Sequence, residues 1–418
     1  MKNERIKIKN KGITPLSIFE SLYSGPGSFL LESPNGQGKL EQYSFIGINP
    51  IQTITDFDTL RKSDLKHGAF GFFSYDFAWE IETLPNLAKD DLQLPKLMFV
   101  IPETLVVFDH LRGEIEVFSE DANKTLTRLH KTPPPPPSPS TSLGINGRGV
   151  RGEGSKINSN LSQQQFETIV QKAKEDIAAG DIYQANLSQR FETKLSEHPF
   201  EVYKRLRKIN PSPFASYFDF GDFQLVSCSP ERLIKFENGV AQTRPIAGTR
   251  PATTRSEELL LDPKERAEHI MLVDLERNDL GKVCEYGSVH VDENMIIEKY
   301  SHVIHIVSNV IGKLRKDKDK FDLIKAMFPG GTITGCPKIR SMEIIEELEP
   351  VKRGPYTGSI GYIMKDKMDL NIIIRTILAI KEKAYIQVGA GIVADSIPEK
   401  EYRETLHKAQ AMLEALAT

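Results

Sequence analysis

Apolar positions alternate with polar ones through much of the chain, and a helical spacing replaces that alternation in a few bounded segments. The run ETLVVFDHLRGEIEVF predicts two strands joined by a turn at Asp109–Gly113. Shorter apolar runs at Phe29 to Ser33 and Tyr43 to Gly47 carry strand character as well. IYQANLSQRF, FQLVSCSPERLIKF and YIQVGAGIV predict further strands. Helices are marked differently. Ser162 with Gln165 three residues later forms a capping box; Phe166, Ile169, Val170, Ala173 and Ile177 then define one apolar face, and Gly180 ends it. KERAEHIMLVDLERNDLG and EKEYRETLHKAQAMLEAL predict two more helices. Strands and helices follow no repeating βα unit, which favours a mixed α+β architecture over a doubly wound sheet.

The pattern is interrupted once. Residues 132–160 contain PPPPPSPSTS and then GINGRGVRGEGS, where five successive prolines remove backbone donors and the Gly/Ser/Arg stretch has little to bury. This predicts an exposed linker between an N-terminal part, residues 1–131, and a second part, residues 161–418.

Composition then removes several function classes. Of 418 residues, 39% are hydrophobic and 27% charged, and the formal charge of −3 leaves no electrostatic footprint for nucleic acid or an anionic membrane. Cys228, Cys284 and Cys336 lie far apart without CxxC spacing, which fits reduced thiols better than a disulfide framework. The charged start MKNERIKIKNKG lacks the apolar stretch of a signal peptide, and no run of about 18 apolar residues occurs. The expectation is a soluble, cytoplasmic protein with a small molecule or another protein as partner.

Two predicted helices each carry a Glu-x-x-Glu pair, Glu265 with Glu268 and Glu401 with Glu404. Residues three apart share a helical face, so each pair can aim two carboxylates at one point. Such a set suits Mg²⁺, which takes one or two carboxylates, waters and substrate oxygens; the plainer reading is a solvated face. Other candidates are single residues. Arg375, in the apolar run NIIIRT, needs either an acid of the chain or a substrate carboxylate. His305 alternates with apolar residues, where a hydrogen-bonded core histidine is the default. Glu231 follows an apolar strand and reads as a general acid or as half of a salt bridge. The loop FPGGTITGCPK offers backbone N–H groups to an anion without matching a phosphate-loop pattern, and Gly389-Ala390-Gly391 permits close approach or simply strand packing.

The order of segments adds a resemblance. YQANLSQRF, SPERLIKF, PIAGTR, DPKERAEHIMLVDLERNDLG, YSHVIHIVS, GGTITGCPKIRSMEIIEELEP, GSIGY, IIIRT and the GAGIVADS segment occur in that order. Together they resemble the chorismate-utilising enzymes: anthranilate synthase component I, aminodeoxychorismate synthase component I, and the isochorismate and salicylate synthases. The resemblance covers nearly all of residues 161–416 and, through FLLES and YSFIG, reaches weakly into the N-terminal part. It implies two antiparallel sheets packed face to face with helices outside. Carried over by motif, Glu268 and Glu404 ligate Mg²⁺ and Glu265 and Glu401 hold its waters. Arg375 and Tyr356 take the enolpyruvyl carboxylate of chorismate, Gly248, Gly389, Ala390 and Gly391 line the substrate, and Lys408 adds a charge. Glu231 becomes the acid that assists loss of the C4 hydroxyl, with His305, Thr334 and Thr249 around it.

Within the family, Gln184 stands where the resemblance places a lysine base in water-using members, and glutamine cannot act as a base. That favours ammonia as nucleophile. Ala247 in PIAGT stands where many aminodeoxychorismate synthases carry a nucleophilic lysine, whereas YQANLSQRF and MDLNIIIRT read closer to aminodeoxychorismate synthase than to anthranilate synthase. NPSPFASYF lacks the Tyr-Met-Phe run that lines the tryptophan pocket of feedback-regulated anthranilate synthases, while Leu30, Leu31, Glu32 and Ser33 retain its other half. The resemblance thus implies amination of chorismate to 4-amino-4-deoxychorismate, on the route to p-aminobenzoate and folate, with ammonia from a glutamine amidotransferase subunit in a heterodimer. Its alternatives are anthranilate synthase, on the route to tryptophan, and a non-catalytic scaffold or sensor that kept the pocket.

Overall fold

The computed structural model describes residues 4–33, 42–130, 157–251, 253, 255–299 and 303–417. Its ladders are antiparallel and form two arms that meet where the long strands Tyr43–Ile54 and Leu97–Asp109 pair. One arm passes from Leu97–Asp109 through Ala69–Phe73, Ser359–Ile363, Lys367–Ile372, Arg232–Glu237 and Val240–Thr243 to Val303–Lys313. The other passes from Tyr43–Ile54 through Phe29–Glu32, Phe214–Asp219, Phe223–Ser229, Thr376–Ile380 and Lys383–Ile392 to Gln184–Lys194. Strands of the N-terminal part are thereby woven between strands of the second part, and the two parts share both arms.

Between the arms lies an aromatic layer of Phe29, Phe45, Phe70, Phe72, Phe218 and Tyr362. Ring centroids approach to 4.4 Å for Phe29–Phe70 and 4.6 Å for Phe45–Tyr362. Each such buried ring contributes roughly 1.5–3 kcal/mol of transfer free energy. The outer faces are covered by helices. Pro263–Gly281, Lys320–Met327 and Lys338–Leu348 send Leu280, Phe321 and Met342 into one outer core. Pro15–Leu22, Pro199–Ile209 and Pro398–Leu416 send Phe19, Leu206 and Met412 into the other. Two antiparallel layers with helices outside are what the resemblance implied.

Local signals are realised closely. Ser162 accepts from Gln165 N–H, Gln165 returns the bond, and Gly180 closes the helix Gln163–Ala179 at φ 86°, where a Cβ would be strained. Two readings need correction. FQLVSCSPERLIKF is two strands, Phe223–Ser229 in one arm and Arg232–Glu237 in the other, broken at Pro230 and Glu231. The same happens at Arg375, which lies in the connection between Lys367–Ile372 and Thr376–Ile380 and not inside a strand. Of the segment 132–160, residues 132–156 lie outside the described residues, while Asn158–Ser159 pair with Glu192 and Phe191 as a short strand. No helix among the described residues is long and apolar enough to cross a membrane.

Candidate active site

Both strand breaks are crossovers from one arm to the other, and they run side by side. Ile372 N–H donates to the Glu231 carbonyl (3.0 Å), Cys228 N–H to the Arg375 carbonyl (3.2 Å), and Ser229 Oγ to the Ile372 carbonyl (2.6 Å). A strand that changes sheets must bend, and the bend turns side chains out of the pleat into the space between layers. Here those side chains are Glu231 and Arg375.

Glu231 is 7% exposed, and among the described residues no lysine or arginine forms an ion pair with it. Burial pushes its carboxyl up to about 8, and the Glu276 carboxylate adds to the rise. It is a neutral acid at neutral pH, and the salt-bridge alternative falls. Arg375 adopts φ 52°, a left-handed conformation that costs a non-glycine residue about 1–2 kcal/mol. Among the described residues its guanidinium meets no carboxylate within ion-pair distance, and burial lowers its pKa. A strained, half-buried cation with no carboxylate partner among the described residues has the chemistry of a receptor for an anion.

The helices bearing the glutamate pairs converge on the same cleft. Burial raises the Glu268 pKa, and Glu265 and, across from it, Glu404 add to the rise. Burial likewise raises Glu401, with Glu404 contributing. Two internal cations partly balance this cluster. Arg250 lies 2.9 Å from Glu265, and Lys408 lies 2.8 Å from Glu404 while donating to the Gly389 carbonyl (2.9 Å). Among the described residues no three acidic, histidine or cysteine side chains stand close enough to cage a metal alone.

The strand Lys383–Ile392 forms one wall. Gly389 and Gly391 face the cleft: a Cβ on Gly389 would come within 2.8 Å of the Tyr356 hydroxyl, and one on Gly391 would collide with Gln184 Nε2. Ala390 does not belong to this surface. Strand alternation turns its methyl into the core beneath helix Gln163–Ala179, with Phe166 and Leu187. Gln184 Nε2 donates toward Glu268 Oε1 at 3.4 Å. Tyr356 is half-buried, and desolvation pushes its hydroxyl up to about 12.

The opposite wall is the strand Ile246–Pro251. Gly248 sits at a register break between Ala247 and Thr249 with φ 61°, and a Cβ there would come within 2.8 Å of Glu265 Oε2. The left-handed φ favours glycine there, while the Glu265 carboxyl stands at the end of a side chain that can shift. Ala247 is buried opposite Ile306, and Thr249 lies opposite His305. His305 Nδ1 donates to the Gly248 carbonyl at 3.1 Å. Burial lowers the His305 pKa and the Arg375 charge lowers it further, so the ring is neutral at neutral pH.

Residues of the loop after Phe328 are used otherwise than as an anion cradle. Thr334 Oγ1 donates to the Gly330 carbonyl (2.8 Å), fixing its own turn, and Lys338 is consumed by an ion pair with buried Asp279. Sequence reasoning passed over the floor of the cleft. Arg353 donates from Nε to Glu349 Oε2 (2.9 Å) and from Nη2 to Glu349 Oε1 (2.7 Å), and from Nη1 to the Ile333 carbonyl (3.0 Å). Its guanidinium also lies over the Tyr75 and Tyr356 rings. The Glu349–Arg353 spacing of four was the available signal. Away from the cleft, Glu32 of the FLLES run accepts from Tyr203 (2.6 Å) and Arg207 (3.1 Å).

A cleft that sets a neutral acid, an unpaired guanidinium and four glutamates around glycine-lined walls defines an enzyme for a small anionic substrate. The comparisons with known proteins specify the family. Residues 29–414 match the chorismate binding enzyme family, and the chain belongs to it. It is 45% identical to aminodeoxychorismate synthase component 1 of Bacillus subtilis, covering 96% of this chain and 94% of that one. It is 39% identical to anthranilate synthase component 1 of Acetivibrio thermocellus, covering 96% and 92%. The crystal structure of anthranilate synthase component I from Streptococcus pneumoniae superposes with a TM-score of 0.78 at 33% identity, covering 99% of this chain and 100% of that one. The chain is thus a chorismate-utilising enzyme of the anthranilate and aminodeoxychorismate synthase type.

Proposed function

We propose that the chain aminates chorismate at C4 with ammonia, giving 4-amino-4-deoxychorismate, with Mg²⁺ as cofactor and a glutamine amidotransferase subunit as ammonia source. The observation that carries it is the placement, on adjacent crossovers, of the neutral acid Glu231 and of Arg375, whose guanidinium meets no carboxylate among the described residues. Arg375 and the Tyr356 hydroxyl hold the enolpyruvyl carboxylate. The Glu231 proton passes to the C4 hydroxyl, which leaves as water while the new C–N bond forms and the ammonium nitrogen releases a proton. Gln184 offers no base and Ala247 no nucleophile, so free ammonia is the attacking group.

The carboxylate cluster fits Mg²⁺. Its members repel one another and do not form a closed cage, which suits an ion that completes its shell with water and substrate oxygens. Glu268 and Glu404 would hold the ion, and Glu265 and Glu401 its waters. When bound, Mg²⁺ supplies positive charge to the ring carboxylate. The glutamates lie near one another and share the Lys408 charge with Glu231, which supports a working site over a silent scaffold.

Identity of 45% with the aminodeoxychorismate synthase relative supports the C4 product, against 49% with an anthranilate synthase component I-like protein of Synechocystis over 84% of this chain, which supports the anthranilate synthase reading. The relatives named anthranilate synthase component 1, which the chain covers equally well, support a second reading: amination at C2 followed by loss of pyruvate. The "component 1" in both names supports a partner subunit. Incubating the protein with chorismate, Mg²⁺ and ammonium and identifying the product by mass and fluorescence decides between them. Direct appearance of anthranilate and pyruvate hands the assignment to the second reading, and undiminished turnover by Glu268→Gln withdraws the metal assignment.

A further inference from the structure

Behind the crossover that carries Arg375 lies a small cavity of about 20 Å³, whose walls include Tyr356, Ile373, Thr376, Arg190 and Gln387. Tyr356 belongs to the cavity as well as to the cleft, and Ile373 and Thr376 bracket Arg375 in the chain. The cavity therefore backs the two groups assigned to the enolpyruvyl carboxylate. Arg190 and Gln387 stand directly opposite each other in the ladder between Gln184–Lys194 and Lys383–Ile392, so their side chains leave the sheet on one face. Both are buried, yet each keeps one atom without a partner among the described residues: Arg190 Nη1, a donor, and Gln387 Oε1, an acceptor. Their other ends are committed. Arg190 Nη2 pairs with Asp91, and Gln387 Nε2 donates to Ser188 Oγ at 2.8 Å. Ser188 donates in turn to Glu349 Oε1, from Oγ and from its N–H, both at 2.8 Å. Glu349 is the carboxylate that grips Arg353, whose guanidinium lies over the Tyr356 ring.

We propose that this cavity binds one ordered water, which accepts from Arg190 Nη1 and donates to Gln387 Oε1, and that Gln387 is thereby a positioning residue for the carboxylate receptor of Tyr356 and Arg375.

A buried donor or acceptor left unmade is costly, and folded proteins hold few of them. Here one of each belongs to neighbouring residues on the wall of a single cavity. A water satisfies both at once, and about 10–15 Å³ is enough to seat one. A halide would satisfy Arg190 alone and would set its charge against the Gln387 oxygen. The Ser188 contact fixes which end of the Gln387 amide is left over. Ser188 Oγ spends its proton on Glu349 and must accept from Gln387, so the amide nitrogen turns to Ser188 and the oxygen is free for the water. With the water bound, hydrogen bonds run unbroken from Asp91 of the N-terminal part through Arg190, Gln387, Ser188 and Glu349 to Arg353. That chain holds Arg353, and the Tyr356 ring against it, in one position before substrate arrives.

The inference rests on Tyr356 and Arg375 receiving the substrate carboxylate, and its tests keep the two claims apart. A crystal structure of the substrate-free protein, from crystals soaked in bromide, should show water density within hydrogen-bond distance of both Arg190 Nη1 and Gln387 Oε1. A dry cavity, or an anomalous bromide peak inside it, overturns the inference without any variant having to fold. In turnover with ammonium, Gln387→Met should raise KM for chorismate about 3- to 10-fold, the fold-change of one ordinary hydrogen bond, with kcat nearly unchanged. A purely structural role would lower the melting temperature and leave KM of the folded variant where it was, and that result removes the positioning claim. Because Gln387 acts through Tyr356, its substitution should add little on top of Tyr356→Phe. If Tyr356→Phe raises KM and Gln387→Met does not, the inference alone falls. Unchanged KM in Tyr356→Phe overturns the receptor reading itself.

Discussion

Arg353 is buried and Arg375 half-buried, and the two arginines are treated in opposite ways. Arg353, in the floor, spends its donors on Glu349, on the Ile333 carbonyl and on Thr357 Oγ1 (3.2 Å). Arg375, on the crossover above it, holds a left-handed backbone and meets no carboxylate among the described residues. Folding alone accounts for the first, since a buried ion must be paired and hydrogen-bonded. It does not account for the second. The difference separates a charge that holds the structure from a charge reserved for a ligand.

Breaking the floor pair should give the largest effect. Arg353→Met strands the buried Glu349 carboxylate, and denaturant unfolding should show a loss of about 3–5 kcal/mol. Arg375→Met should leave stability unchanged or slightly higher, because it removes a desolvated cation that meets no carboxylate among the described residues while the left-handed backbone stays. Its cost falls on substrate, where loss of a charge-assisted hydrogen bond of about 1.5–3 kcal/mol lowers kcat/KM for chorismate roughly 10- to 100-fold. If Arg375→Met unfolds the protein instead, the contrast between the two arginines is lost.

A third prediction sharpens the comparison with Glu231, the other unpaired charge-bearing group. The acid acts in its protonated form, so activity is full below the raised pKa and is lost as pH rises through about 8, tenfold per further pH unit. A pH profile of kcat/KM checks both position and direction. The smallest effect belongs to the surface, where Arg403 and Glu399 pair at 2.6 Å with both side chains more than half exposed. Arg403→Ala should change stability by about 0.5 kcal/mol or less.

What could be read from the chain follows the range of the interaction responsible. The capping box at Ser162 and the stop at Gly180 involve residues within one helical turn, and the Glu-x-x-Glu pairs are fixed by helical spacing. The hairpin around Asp109–Gly113 is local too, with strands Leu97–Asp109 and Glu114–Ser119 in register as expected. By contrast, the run from Phe223 to Phe236 looks like a single strand because both halves alternate correctly; only pairing with Thr376–Ile380 on one side and Lys367–Ile372 on the other splits it at Glu231. Ala390 stands between two cleft-facing glycines in the sequence, and strand alternation turns its methyl the other way.

By itself the sequence determined the residue types, their spacing and the faces on which they lie: two glutamate pairs, a glycine-flanked strand, one acid and one arginine in apolar surroundings. Whether those groups are partnered depends largely on residues far along the chain, and only the tertiary structure decided it. Packing brought Glu404 to Glu268, gave Lys338 to Asp279, and left Arg375 and Glu231 without a counter-ion among the described residues. The physical reason is that a charge is costly or useful according to its surroundings, and surroundings are made by the fold.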